Sequence, residues 1–166
     1  MLCLDDNRRC CPFDGNPLEQ PFQGSNLIDG KYRLERELGQ GGMGAVYLAL
    51  HEGLGKHFAL KLIHSYSGNL GEISQRFKIE ARALGKLKHP NIVEVTDYGV
   101  DPRNGGLPYL VMEYLVGETL RERRRRSPAL SFAELLRILE QAAEGIDWAH
   151  KHGVLHCDLK PGNVLL

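Results

Sequence analysis

This 166-residue chain lacks a net charge, a long hydrophobic run and cysteines spread along its length. Lys plus Arg and Asp plus Glu both number 21, so global charge offers no attraction to nucleic acid or an anionic membrane. No apolar run approaches the roughly 20 residues of a membrane span, and the N-terminus lacks the charged-then-apolar order of a signal peptide. We expect a soluble cytoplasmic protein with no membrane segment and no nucleic-acid partner.

The four cysteines are clustered, which argues against a disulfide framework. Cys3, Cys10 and Cys11 lie within the first eleven residues, and Cys157 stands alone near the other end. We expect free thiols or a metal ion there. Residues 11–18 look like the second knuckle of a small zinc ribbon, but zinc requires four ligands and these cysteines supply three at most. The prolines and glycines of residues 1–29 predict a flexible leader, with the remnant of a zinc ribbon as the alternative.

What is present is an ordinary globular composition, 42% hydrophobic and 25% charged, with regular patterning from residue 31. Residues 32–38 alternate apolar with charged side chains and predict a half-buried strand; the apolar residues 45–50 predict a second. Between them Gly39, Gly41 and Gly44 fit G-x-G-x-x-G. Such glycines let backbone N–H groups approach a phosphate without interference from a Cβ atom, although a glycine-rich hairpin can also be purely structural. A following strand argues against a dinucleotide-binding fold, which requires a helix there.

Two charged side chains fall at apolar positions. Lys61 lies in a predicted third strand, residues 57–63, where a lone lysine usually extends its amine to solvent. Residues 72–87 carry a helical stripe of apolar side chains, and Glu80 falls in that stripe. A buried carboxylate is costly unless it is paired. Glu80 either pairs with a cation or lies at the rim of the stripe.

Two more strands and a long helix are predicted further along the chain. Pro90 ends the helix that contains Glu80, since proline cannot continue it. Residues 92–98 and 109–115 read as the fourth and fifth strands. Ser131 and Glu134 have the spacing of a capping box, which predicts the start of a helix with a broad apolar face over residues 131–152. Five arginines in residues 121–126 favour a solvated helix end over a site for an acidic partner.

Asp158, Lys160 and Asn163 lie between two apolar segments, an arrangement typical of a loop that presents polar groups to one point. Phosphoryl transfer is catalysed largely by positioning and charge neutralisation. Asp158 could hold the attacking hydroxyl, Lys160 could bind the transferring phosphate, and Asn163 could bind a Mg²⁺ ion. A polar loop between buried strands is the plainer alternative.

This loop resembles the catalytic loop of protein kinases, His-Arg-Asp-Leu-x-x-x-Asn, with Cys157 where that family usually has Arg. The motif Asp-Leu-Lys-Pro-x-Asn is typical of the serine/threonine branch of that family. With the glycines, Lys61 and Glu80, it identifies residues 32–166 as similar to a bacterial Hanks-type serine/threonine kinase. The resemblance implies an α+β kinase-like fold: a five-stranded antiparallel sheet with one helix in an N-lobe, residues 30–115, and an incomplete helical C-lobe, residues 116–166.

The resemblance also implies ATP and Mg²⁺ as cofactors, protein Ser and Thr hydroxyls as acceptors, and specific roles for individual residues. Asp158 would be the base, Lys160 would bind the transferring phosphate, and Asn163 would hold Mg²⁺. Lys61 would bind the α- and β-phosphates and pair with Glu80. The remaining expected ATP contacts are the phosphate loop (Gly39, Gly41, Gly44), the apolar walls (Leu38, Val46, Ala59), the gatekeeper (Met112) and the backbone beside adenine (Glu113, Leu115).

The family continues beyond its catalytic-loop Asn with Asp-Phe-Gly and an activation segment, and these 166 residues do not contain them. One hypothesis is that the chain is part of a serine/threonine kinase and that these 166 residues are inactive when they are expressed alone. The alternative is a catalytically inactive nucleotide-binding or interaction module. The Arg that the family usually has at the position of Cys157 binds an activation-loop phosphate. Because Cys157 lacks that charge, we predict that kinase activity depends only weakly on phosphorylation of the activation loop.

Overall fold

A computed structural model describes residues 26–41, 44–63, 77–79, 81–126 and 129–166. Within them the chain forms an antiparallel sheet of six strands in the order β1-β2-β3-β4-β6-β5. The predicted α+β fold, with an antiparallel sheet followed by helices, is confirmed. The strands are β1 (Leu27–Ile28), β2 (Tyr32–Gly41), β3 (Gly44–His51), β4 (Lys56–Leu62), β5 (Val95–Asp101) and β6 (Leu107–Glu113).

The predicted count of five strands is wrong, because β1 adds a sixth at the edge beside β2. Leu27 pairs with Arg33 and Ile28 with Tyr32, within a stretch that the sequence assigns to the leader. Asp29 and Gly30 form the turn, with φ of 50° and 66°. Three residues, Asp29, Gly30 and Lys31, join the paired Ile28 and Tyr32, and the Lys31 N–H donates to the Ile28 carbonyl at 3.0 Å. Glycine adopts positive φ without strain, and Asp adopts it more often than most other residues. A two-residue strand is too short to show periodicity, so Asp29-Gly30 was its only signal.

Both faces of the sheet are packed, because side chains alternate between faces along each strand. In β4, Phe58, Leu60 and Leu62 point into one core, whereas Ala59 and Lys61 are half-buried on the other face. The second face packs against a helical segment, residues 77–79 and 81–84. The first core contains Ile28, Tyr32, Leu34, Ala49, Phe58, Leu60, Leu62, Tyr109 and Val111; the second contains Phe77, Ala81 and Leu110, with Met112 packed against it.

Two helices follow the sheet, α1 (Leu120–Arg123) and α2 (Phe132–Lys151). The predicted capping box of α2 is confirmed: the Ser131 hydroxyl accepts from the Glu134 backbone N–H, and the Glu134 carboxylate accepts from the Ser131 N–H at 2.8 Å. Thr119 and Glu122 cap α1 in the same way. None of the helices in the described ranges is long and apolar enough to cross a membrane.

The end of the chain returns to the start of α1. The Leu120 N–H donates to the Val164 carbonyl at 2.8 Å, and the Leu166 N–H donates to the Glu118 carbonyl at 2.9 Å. A bridge between Thr119 and Leu165 joins them. These hydrogen bonds hold α1 beside the loop that contains Asp158.

Candidate active site

Asp158, Lys160 and Asn163 form one hydrogen-bonded unit, as their spacing suggested. Lys160 Nζ donates to both carboxylate oxygens of Asp158, at 3.0 Å to Oδ1 and 2.7 Å to Oδ2. Asn163 Nδ2 donates to the Asp158 backbone carbonyl at 2.8 Å and to Oδ2 at 3.2 Å. A short 3₁₀ turn, Pro161–Asn163, brings the amide back towards Asp158.

The carboxylate of Asp158 is held in its charged form. The hydrogen bond from Lys160 is the main reason that the pKa of Asp158 lies below its ordinary value, and the hydrogen bond from Asn163 adds to the effect. The side chain is 61% exposed, so an incoming hydroxyl can reach it. An ionised, accessible carboxylate can accept a hydrogen bond from a hydroxyl and then its proton, which is the task of a general base.

Cys157, directly before Asp158, has a left-handed backbone with φ of 55°. Such a conformation is uncommon for a residue other than glycine and recurs at functional sites. The Asp158 N–H turns back to the His156 carbonyl at 2.7 Å and lies 3.3 Å from His156 Nδ1. The strained turn thus sets the direction in which the carboxylate points, while the Cys157 side chain itself is exposed.

The sheet register brings several predicted nucleotide contacts onto one face. Across β3, β4 and β6, Lys61 lies between Val46 and Leu110. Two residues earlier on β4, Ala59 lies between Leu48 and Met112. Directly paired residues of neighbouring strands point to the same face. Val46, Ala59, Lys61 and Met112 therefore share the face that packs against residues 77–84.

The glycine turn joins two strands, β2 and β3, and Gly41 pairs with Gly44 across it. Gly44 has φ of 144°, and a Cβ atom there would overlap the Leu62 carbonyl oxygen of β4. Only glycine fits this close approach. Gly39 pairs with Val46 and has open space where a Cβ would stand, so its absence of a side chain is not required by packing.

Leu38 is unpaired at a bulge of β2, between Glu37 and Gly39, and is 36% exposed; Leu115 lies two residues beyond β6 and is 41% exposed. Glu113 ends β6, and its carboxylate Oε1 accepts from the Glu94 backbone N–H at 2.8 Å. The Glu113 N–H donates to the Glu94 carbonyl at 3.0 Å, so the end of β6 is tied to the chain before β5. Sequence reasoning missed this link, because Glu94 falls inside a predicted strand.

The predicted partner of Lys61, Glu80, lies outside the described residues, as do Cys3, Cys10 and Cys11. In the described ranges no group of three or more His, Cys, Asp or Glu side chains is arranged to hold a metal ion. Asn163 contacts Asp158 through its amide nitrogen, and its amide oxygen is a hard donor of the kind that Mg²⁺ prefers. The amide oxygen of Asn163 and the Asp158 carboxylate fit the chemistry of a Mg²⁺ ion, which Asn163 would hold.

Sequence reasoning also missed a contact between α1 and the loop. The three atoms nearest to a Cβ placed on Gly162 all belong to the Arg121 guanidinium, at 3.3 to 3.4 Å. The arginine run carries no hint of this contact, because it depends on how α1 is fixed against the returning chain.

Comparison with known proteins agrees with this geometry. The family described as protein kinase domain matches residues 32–166. The serine/threonine-protein kinase PknA of Mycobacterium tuberculosis H37Rv is 40% identical over 141 residues, covering 84% of this chain and 33% of that protein. Pkn1 of Myxococcus xanthus, also named a serine/threonine-protein kinase, is 39% identical over 158 residues, covering 95% and 22%. The chain thus spans about a third or less of these relatives.

Solved structures give the same result for the fold. The chain is similar to the kinase domain of Mycobacterium tuberculosis PknI, with a TM-score of 0.72 and 33% sequence identity. The similarity covers 89% of this chain and 59% of that structure. A second PknI kinase domain structure gives a TM-score of 0.71 and 35% identity.

Proposed function

Because the chain belongs to the protein kinase family, we propose that it is part of a serine/threonine kinase that transfers the γ-phosphate of ATP to protein Ser and Thr hydroxyls. The observation that supports this most is the unit of Asp158, Lys160 and Asn163, in which one accessible carboxylate is held by two donors. The sequence Asp-Leu-Lys-Pro-x-Asn, typical of serine/threonine kinases, and the similarity to PknA and Pkn1, both named serine/threonine-protein kinases, support the choice of acceptor.

In the proposed reaction Asp158 accepts a hydrogen bond from the acceptor hydroxyl and takes its proton as the new O–P bond forms and ADP leaves. Lys160, which pairs with Asp158, would stabilise charge on the transferring phosphoryl group. Asn163 would hold Mg²⁺, which supplies neutralisation of phosphate charge when it is bound. Each of these groups is positioned in advance, which is the main contribution that a kinase makes to this chemistry.

Lys61 and the glycine turn would bind the nucleotide at the other side of the site. Lys61 is half-buried and shares its face of the sheet with Val46, Ala59 and Met112. Its stem would follow this apolar surface, and its ammonium group would bind the α- and β-phosphates. The backbone N–H groups of the turn at Gly39, Gly41 and Gly44 would approach the same phosphates. We also propose the pair of Lys61 with Glu80 and the adenine contacts at Glu113 and Leu115.

We further propose that residues 1–166, expressed by themselves, transfer no measurable phosphate and bind ATP weakly. Exposed apolar side chains along α2 include Phe132, 80% exposed, and Leu139, 54% exposed. Apolar area left in water costs about 25 cal/mol per Å², so a few hundred Å² amounts to several kcal/mol. Contiguous surface of this kind promotes association.

The experiment uses the full-length protein that contains these residues and ATP labelled at the γ-phosphate. We expect label on Ser and Thr of a generic protein substrate, and a loss of about 100-fold or more in Lys61→Met, because a preorganised charge on the phosphates is removed. Lys56→Met, at the exposed start of the same strand, is the matched control. Label on Tyr alone would contradict the choice of acceptor. No transfer would instead favour the inactive nucleotide-binding or interaction module.

A further inference from the structure

The arginines that follow Thr119 do not share one environment. α1 ends at Arg123, and Arg124, Arg125 and Arg126 are exposed beyond it. Arg126 pairs with Glu118 at 3.4 Å. Hydrogen bonds from Thr119 are the main reason that the pKa of Glu122 lies below its ordinary value, and the charge of Arg125 adds to the effect. These contacts are local to the helix, as expected of a solvated helix end.

Arg121 lies instead against the candidate catalytic loop. Its Cζ would be 3.3 Å, and its Nε and Nη2 3.4 Å, from a Cβ placed on Gly162, so the guanidinium covers the glycine backbone. Gly162 immediately precedes Asn163, which donates to Asp158. The permanent positive charge of Arg121 thus lies against the residue that directly precedes Asn163, which contacts the candidate base.

The position of Arg121 is set by the backbone. Arg121 directly follows Leu120, whose N–H donates to the Val164 carbonyl at 2.8 Å, just after the loop. Any side chain larger than glycine at position 162 would meet the guanidinium. Because position 162 is glycine and the start of α1 is fixed by hydrogen bonds, the guanidinium of Arg121 can lie directly against the loop.

The charge of Arg121 is available to a ligand. None of the carboxylates in the described ranges forms an ion pair with Arg121. Asp158, the acid of the loop, is already paired with Lys160 at 2.7 Å. Arg121 is exposed, and a guanidinium presents donors in a planar fork that matches a carboxylate or phosphate group.

We propose that Arg121 selects protein substrates that carry an acidic or phosphorylated side chain close to the accepting Ser or Thr. This inference rests on the proposed function, because it places the acceptor hydroxyl at Asp158. A substrate in extended conformation advances about 3.3 to 3.6 Å per residue, so a group so near the loop meets residues within about four positions of the acceptor. The substrate class is therefore acidic peptide sequence around Ser or Thr.

The alternative role of Arg121 is structural, as a cover over Gly162. The two roles differ in what a change of charge does. A cover would affect all substrates equally, whereas a selecting residue would change the ratio of kcat/KM between acidic and neutral peptides.

The experiment measures kcat/KM of the full-length protein for a neutral Ser peptide and for variants with one Glu placed at each position within about four residues of the Ser. We expect a preference of about five- to tenfold for Glu at one or two positions, consistent with a charge-assisted hydrogen bond at an exposed site. Arg121→Gln should abolish that preference mainly through KM, Arg121→Lys should retain most of it, and Arg125→Gln should leave it intact. Arg121→Glu should reverse it in favour of Lys-containing peptides.

Equal phosphorylation of acidic and neutral peptides would overturn the inference while leaving the proposed function in place. A preference that survives Arg121→Gln, or that falls equally in Arg125→Gln, would also overturn it. An Arg121→Gln protein that loses activity towards every peptide by the same factor would assign the residue a structural role. Absence of transfer to any peptide would overturn the proposed function and, with it, this inference.

Discussion

The backbone carbonyl of Asn91 lies against Gly145, so close that a Cβ atom at position 145 would be 2.9 Å from the oxygen. Asn91 belongs to the turn after the helical segment, and Gly145 is a buried residue inside α2. Asn91 Nδ2 also donates to Glu144 Oε2 at 3.1 Å, and the rings of His89 and Trp148 stack with centroids 5.7 Å apart. Gly145 is therefore required by the contact between the sheet side of the molecule and α2.

Gly145→Ala should destabilise the protein, although alanine is the better helix former by about 1 kcal/mol. The atom that meets the new Cβ is backbone, which cannot turn aside, and overpacking of this kind costs about 1 to 3 kcal/mol. Urea unfolding of the full-length protein measures the free energy of unfolding. A more stable Gly145→Ala protein would show that helix propensity outweighs the contact with Asn91.

Ser131→Ala should reduce stability by removing the cap of α2. The lost hydrogen bond to the Glu134 N–H leaves a donor of the first turn unsatisfied, at a cost of about 1 kcal/mol. For a domain of this size that corresponds to a fall in Tm of about 2 to 4 °C. Ser131→Thr keeps the hydroxyl and is the matched control. Equal Tm values for Ser131→Ala and the unmodified protein would contradict the role of the cap.

Tyr109→Phe should make the protein less sensitive to alkali. Burial is the main cause that raises the pKa of Tyr109 above its ordinary value of 10.0, and the hydrogen bond that Tyr109 donates to Asp29 at 2.9 Å adds to it. The folded state thus holds the phenol proton more tightly than the unfolded state, so stability should fall as pH rises above about 10. Tyr109→Phe should lessen the slope of that fall.

At neutral pH the same substitution should cost about 1.5 kcal/mol, because a partly buried hydrogen bond to a carboxylate is lost while Asp29 keeps its ion pair with Lys31 at 3.0 Å. Unfolding curves from pH 7 to 11 measure both effects. Tyr114→Phe, whose hydroxyl accepts from Arg36 at 3.3 Å outside the core, is the control. Identical pH slopes for Tyr109→Phe and Tyr114→Phe would contradict the prediction.

Cys157→Arg should increase the dependence of activity on phosphorylation. Cys157 carries no charge that could bind an activation-loop phosphate, so the unmodified full-length protein should respond weakly to phosphorylation. Arginine adds that charge at a position that is already exposed and in a left-handed conformation. The measurement compares phosphorylated and dephosphorylated protein for both forms, with Cys157→Ala as the neutral control. A large dependence in the unmodified protein would refute this prediction.

The sequence predicted those elements whose signals are local. Alternation marked β2, the Ser131 and Glu134 spacing marked α2, and the polar residues between two apolar segments placed Asp158 and Asn163 in one loop. The contacts of Arg121 with Gly162 and of Asn91 with Gly145 could not be predicted, because each joins segments far apart in sequence. A glycine in the sequence can indicate a close contact, but it does not identify the residue that makes the contact.

The role of Asp158 as the base is tested most directly by Asp158→Asn in the full-length protein, with kcat for phosphate transfer and the Kd for ATP measured on the same sample. Asparagine forms weaker hydrogen bonds with Lys160 and Asn163 than the carboxylate does, and it cannot accept a proton at neutral pH. We predict that kcat falls about 10²- to 10⁴-fold while the ATP Kd stays within about twofold. Asp147→Asn, which breaks only the 2.6 Å surface pair with Lys151, should leave both values unchanged. A kcat for Asp158→Asn equal to that of Asp147→Asn would contradict the assignment of Asp158 as the base.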